Sequence, residues 1–191
     1  MRVVGVVSTV LLVDLATSVC TPGRPDLLRS RFHFAVAGLP GGRIVCAGGY
    51  SSDNQSAAEM WGPPVQGALD AAWTWRHLPA MSVARYGCSG CVMSDGRFAV
   101  LGGWRGFGGI TSSCEALAIG DDDEHWVPLL PMHDPRAYFS CAAVAGCVIV
   151  AGGWVAIQLK SSMRCAVGGC GFRAAYLTTW VRWAARFCRR P

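Results

Sequence analysis

The chain has 191 residues, 52% hydrophobic and only 15% charged, which excludes a disordered polyelectrolyte and leaves ample mass for an apolar core. Its formal net charge of +5 is lopsided: residues 156–191 carry seven basic side chains and no acid, whereas residues 1–155 carry 10 Arg against 12 Asp and Glu. The body of the chain is therefore slightly acidic, which argues against a nucleic-acid-binding role for it.

Residues 1–30 open on an apolar run from Val3 to Val13 that Asp14 interrupts. The run is shorter than the roughly 18 apolar residues a membrane span needs, and no small-x-small cleavage site follows it. No membrane span is expected. A secretion signal and the end of a repeating unit are the two readings of this segment, and spacing favours the second. Leu12 to Thr17 resembles the close of a third strand in the units that follow, and Cys20 precedes Arg31 by 11 residues, against 10 between Trp75 and Arg85.

From Arg31 onward the chain repeats itself. Arg31 to Val36 runs into a turn at Gly41-Gly42 and returns as Arg43 to Gly49; Arg85 to Met93 turns at Asp95-Gly96 and returns as Arg97 to Gly103; Arg136 to Phe139 and beyond turns at Ala145-Gly146 and returns as Cys147 to Gly153. Asp-Gly and Gly-Gly between apolar runs are hairpin signals, because both turn residues must accept positive φ. The doublets Gly48-Gly49, Gly102-Gly103 and Gly152-Gly153 begin 54 and 50 residues apart; Arg31, Arg85 and Arg136 lie 54 and 51 apart; Trp75 and Trp126 are separated by 51. Strands are predicted at 31–38, 43–48, 57–61, 72–77, 85–93, 97–102, 113–119, 125–127, 136–144 and 147–152, four to a sheet. A period near fifty residues with four strands each predicts propeller blades, and a propeller closes with about 4–8 of them. The fold class expected is all-β: an incomplete propeller of about three blades with an irregular or helical C-terminal tail. Trp75 and Trp126 are expected at equivalent buried sites, and the apolar faces of the terminal sheets, with residues such as Ile149 and Val150, are expected to lie open and to favour self-association.

The landmarks resemble kelch repeats: an Arg before the first strand, the Gly-Gly doublet, Ala58-Glu59 or Glu115, and then Trp75 followed by Leu78-Pro79-Ala80-Met81 or Trp126 followed by Leu130-Pro131-Met132. The similarity covers roughly residues 12–154, and its wording is most like plant F-box/kelch-repeat proteins. It implies a protein-binding propeller, the substrate-recognition part of a ubiquitin-ligase adaptor of SCF type, that is not an enzyme and needs no cofactor. The sequence departs from the family in having Trp61 and Leu117 where a Tyr follows the acidic residue, and no F-box segment is visible. Kelch-like propellers also include copper oxidases of the galactose oxidase type, which is the alternative class. The structural motif residues on this reading are Arg31, Gly48, Gly49, Glu59, Trp75, Arg85, Gly102, Gly103, Glu115, Trp126, Arg136, Gly152 and Gly153. The organisation expected is the end of a preceding blade over 1–30, kelch repeats over 31–154 and a divergent basic tail over 155–191.

Recognition on a rigid β scaffold usually falls to loops. The loops between second and third strands nominate Asp53, Asn54, Trp104 and Arg105 as protein-binding residues, with the partner itself unspecified. Metal chemistry finds little footing. Cys88 and Cys91 have no second pair of ligands at zinc spacing, and residues three apart on a strand face opposite ways. His33, His77, His125 and His133 are spread through the units, and the run Asp121 to Glu124 reads as a solvated turn. Ten cysteines without a disulfide-scaffold spacing place the chain in the cytoplasm or nucleus. Beyond Gly153 the repeat breaks. Phe172, Tyr176, Trp180, Trp183 and Phe187 recur at helical spacing among arginines, which predicts a basic amphipathic helix or, alternatively, the altered tail of a non-functional truncated product.

Overall fold

Alternating apolar residues between turns that require positive φ fold this chain as a succession of antiparallel strands. The computed structural model describes residues 8–21, 25–51, 55–63, 72–119 and 123–155, all within one compact body, Met1–Ile157. Among these residues there is no α-helix, only two short 3-10 turns. No helix among them is long and apolar enough to cross a membrane. The predicted tail helix, with Phe172, Tyr176, Trp180, Trp183 and Phe187, lies outside the described residues.

An N-terminal hairpin pairs β1 (Leu12–Asp14) with β2 (Val19–Thr21). Unit 1 is a four-stranded sheet in sequential order, β3 (Ala35–Gly38), β4 (Ile44–Ala47), β5 (Ala58–Gly62) and β6 (Thr74–Leu78). Unit 2 repeats it with β7 (Ser89–Val92), β8 (Phe98–Leu101), β9 (Cys114–Ile119) and β10 (Glu124–Leu129). Pro128 sits within β10, an outer strand of its sheet, the kind of strand to which proline is confined. Unit 3 has β11 (Arg136–Ala137), β12 (Ser140–Val144), β13 (Cys147–Ala151) and β14 (Trp154–Val155), paired as β12–β13 and β11–β14. The all-β expectation and the four-stranded sheets of units 1 and 2 thus hold.

The first strands of units 1 and 2 start later than predicted, and that of unit 3 is interrupted. His33, Gly87 and Tyr138, each two residues after the landmark Arg, adopt φ of 55°, 62° and 55°. That left-handed step cannot continue a pleat, so the predicted strand 136–144 divides into β11 and β12. The residues before the step form separate bridges instead, Phe32 with Tyr50, Tyr86 with Trp104, and Ala137 with Trp154.

The units stack face to face with alternate residues serving opposite neighbours, as the period-2 pleat requires. Val45, Ala47, Ala58 and Met60 of unit 1 share a core with Phe98, Val100 and Leu117 of unit 2. The intervening residues of unit 2, Ala99, Leu101, Cys114 and Ala116, meet Phe139, Cys141, Val148 and Val150 of unit 3. On the other side of unit 1, Cys46, Trp61 and Trp75 are covered by Val10 and Leu27.

The glycine doublets sit at these junctions, both members with positive φ. A Cβ on Gly48 would lie 2.6 Å from the carbonyl oxygen of Arg85 in the next unit, and one on Gly49 would lie 2.8 Å from the Phe34 Cβ of its own. The first glycine of the pair therefore lets the next unit approach, and the second lets the unit's own first strand fold back. Backbone bonds follow the same path: Gly49 N–H donates to Arg85 (2.9 Å), Gly103 N–H to Arg136 (2.8 Å), Gly87 N–H to His33 (2.8 Å) and Tyr138 N–H to Gly87 (2.7 Å).

Candidate functional site: an aromatic recess at the loop end

The charged landmarks of the repeat are spent on internal bonding. Arg31 donates to the carbonyls of Gly48 (2.7 Å) and Ala57 (2.9 Å) and pairs with Glu59 at 2.6 Å. Arg85 does the same one unit later, reaching Gly102 (2.8 Å), Ser113 (2.7 Å) and Glu115 (2.9 Å). Each carboxylate also accepts the chain entering the unit, from the Leu28 N–H (2.7 Å) at Glu59 and the Ser82 N–H (2.9 Å) at Glu115. Both pairs are buried, so each guanidinium and carboxylate depends on the other for solvation. Arg136 keeps only its bond to the Gly152 carbonyl (2.6 Å) among the described residues.

The two tryptophans occupy matching places, as expected. Trp75 Nε1–H donates to the Pro25 carbonyl and Trp126 Nε1–H to the Pro79 carbonyl, both at 2.8 Å. Their burial differs: Trp75 is buried among Trp61 and Cys46, whereas Trp126 is half-buried against Phe98. These residues hold the fold, and none of them presents a free functional group.

Function must be sought at the ends of the sheets. At the end carrying the hairpin turns, a recess of about 480 Å³ is lined by polar side chains including Arg43, Asp95, Arg97, Asp123 and His125. Arg97 pairs with Asp95 at 2.6 Å, and His125 Nδ1 lies 3.2 Å from Asp123. At the opposite end, carrying the loops from second to third strand, an open recess of about 370 Å³ is lined by His33, Tyr86, Trp104, Tyr138 and Trp154. Every one of these positions follows from the repeat. Tyr50, Trp104 and Trp154 each come directly after a glycine doublet, and Phe32 and Tyr86 come directly after the landmark Arg. His33 and Tyr138 take the left-handed step.

The rings form one connected set. Tyr138 meets His33 (5.1 Å between centroids), Trp154 (5.8 Å) and Tyr86 (6.4 Å), and Tyr86 meets Tyr50 (5.5 Å) and Trp104 (6.5 Å). Most contacts are edge-to-face, the arrangement that the ring quadrupole favours. Gly87 makes room for it, since a Cβ there would stand 2.9 Å from the Tyr138 ring. Partial burial, and then the electrostatic influence of neighbouring Tyr86, raises the Tyr138 phenol above its usual value. Trp154 is 60% exposed, and Tyr50 and Tyr138 are exposed as well.

Of the predicted binding residues, Trp104 lines this recess and donates its indole N–H to Gly106 (2.7 Å). Arg105 is exposed beside it, at the start of the loop Gly106–Gly108. Asp53 and Asn54 lie outside the described residues. Sequence reasoning missed His33, Tyr50, Tyr86, Tyr138 and Trp154, although an aromatic residue after each of the three doublets was a signal in plain view.

The thiols of Cys46, Cys88, Cys91 and Cys114 are buried as core residues. Burial pushes Cys46 up to about 12 and Cys88 up to about 11, and burial followed by the neighbouring Cys141 raises Cys91. Such groups stay protonated and are poor nucleophiles and ligands. Among the described residues no three His, Cys, Asp or Glu side chains are grouped to share a metal ion. No family model matches the chain.

Proposed function

We propose that the repeating units are blades of a kelch-type β-propeller and that the chain is a protein-binding module, with its partner taken at the aromatic recess. The observation that carries this reading is the convergence of repeat-equivalent aromatic side chains from three successive units on one exposed surface. Aromatic side chains offer large contact area at low entropic cost, and Trp and Tyr are enriched among binding hot spots. Arg105 at the rim supplies a charge that fixes orientation. By its resemblance to F-box/kelch proteins, the module recognises a target for a ubiquitin ligase in the cytoplasm or nucleus. The test is affinity capture from plant extract with the wild-type chain and with Tyr86→Ala, Trp104→Ala and Arg105→Ala. Loss of the same partner in the aromatic variants, with melting temperature kept, is expected; full retention of every partner would refute the site.

A second reading, a copper oxidase of galactose oxidase type, draws on His33, Tyr86 and Tyr138 lining one recess. Such a site also calls for a thiol beside a ligand Tyr. Among the described residues the lining holds no cysteine, and Cys88, the nearest in sequence to Tyr86, contributes to the buried core between units 1 and 2. Copper bound in stoichiometric amount, together with oxidase turnover, would put this reading first.

A further inference from the structure

The first and last parts of the described body are complementary halves of one repeating unit. In units 1 and 2 the third strand follows a serine whose carbonyl accepts a hydrogen bond from the segment after the fourth strand: Met81 N–H to Ser56 (2.8 Å) and Met132 N–H to Ser112 (2.9 Å). The N-terminal segment repeats this bond, from Leu27 N–H to Ser8 (2.9 Å). It also repeats the two contacts made with the following unit. Pro25 accepts from Trp75 as Pro79 does from Trp126, and Leu28 donates to Glu59 as Ser82 does to Glu115. The β1–β2 hairpin therefore stands where third and fourth strands stand, in front of unit 1. Unit 3 supplies the other half, first and second strands as β12–β13.

Each half is left with an open edge and an open face among the described residues. β1 pairs only with β2, and β13 only with β12. Ile149 holds the place of Ala99, which faces the next unit, yet it is 57% exposed. A Cβ on Gly152 would meet nothing within 4 Å, although the matching glycines abut the next unit's backbone. On the other half, Leu11, Val13 and Val19 are each more than half exposed.

We infer that the chain assembles as a closed pair, in which β1–β2 of a second copy adds to the free edge of β13 and completes the sheet of unit 3. The inference rests on the blade reading and not on the binding role of the recess. Transferring the register of β8 with β9 sets Ala151 opposite Val10, and Val148 opposite Val13, of the second copy. The pairing is reciprocal, because each copy owns both halves, and a two-fold axis relates the two composite sheets. The described strands of one copy make up three sheets and those of two copies make up six, within the range of about 4–8 blades at which propellers close. Leu11 stands where Glu59 and Glu115 stand, so the composite sheets lack the carboxylate clasp and the pair is reversible.

The full chain should scatter light as a particle of twice 20.3 kDa. Amides of residues 12–14 and 147–151 should exchange slowly in the pair and rapidly on dilution. Ile149→Arg alters a side chain already exposed in the single copy, so it should leave circular dichroism unchanged while weakening association roughly tenfold or more. A single-chain mass at micromolar concentration, an open-ended series of masses, or concentration-independent protection of 147–151 would overturn the inference. The last result would show the chain's own residues 156–191 on that edge. Partner capture at the recess would be unaffected by any of these outcomes.

Discussion

Ala99 and Ile149 hold the same place in successive units, on the second strand and three residues before the glycine doublet; one has no solvent exposure and the other is 57% exposed. The smaller side chain is the buried one. What differs is the neighbour: unit 2 has unit 3 stacked on it, and unit 3 has nothing described beyond it. Burial in this protein is thus a property of the junction between units, and the motif residues specify the junction more than the unit.

The largest expected contrast concerns the arginines. Arg85→Ala or Glu115→Ala strands a buried charge and should cost about 3–5 kcal/mol. Arg136→Ala, whose residue is half-buried and bonds a carbonyl, should cost about 1 kcal/mol. Chemical denaturation of the three variants checks this, and equal losses would mean that the clasp is not what joins units.

Glycine substitutions sharpen the same comparison. Gly102→Ala combines positive φ with a collision against the Arg136 carbonyl and should destabilise by at least about 3 kcal/mol. Gly152→Ala meets open space and carries only the conformational cost of about 1–2 kcal/mol. A pair of urea titrations separates the two, and a larger loss at Gly152 would place an unseen neighbour there.

A smaller effect is expected from pH. Cys46 and Cys88 have folded values raised to about 12 and about 11 from the ordinary 9.0. A raised value means that the folded state holds its proton more tightly, so this stability is fully present below pH 9.0 and is lost as pH rises through 11. Thermal melts from pH 8 to 11 should be flat at first and then fall, and the Cys88→Ala variant should fall less. Identical profiles would contradict the burial of that thiol.

Much of this architecture was legible in the sequence because its signals are periodic. The doublets, the arginines, Trp75 and Trp126 recur at one spacing, and the strands fall between turn residues with a steric need for positive φ. The early breaks in the first strands were not legible. His33 and Tyr138 are non-glycine residues in the left-handed region, a conformation supported by contacts between units such as the bond from Tyr138 N–H to Gly87. Glu59 and Glu115 were visible as landmarks, but their pairing with Arg31 and Arg85 spans 28 and 30 residues and needs the sheet to bring it about. The recess was hidden for a related reason. Its rings come from different units and meet only once the left-handed steps and the stacking have aligned them.

Successive units are locked together through their landmark residues, and amide hydrogen exchange reads that lock directly. Among the described residues, backbone bonds cross between units from the amides of Gly49, Arg85, Gly87, Gly103, Arg136 and Tyr138. They should exchange as slowly as the sheet amides of Val45 and Val100 within units 1 and 2. Rapid exchange at all six, with the sheet amides still protected, would mean that the units fold separately and that the stacked arrangement is wrong.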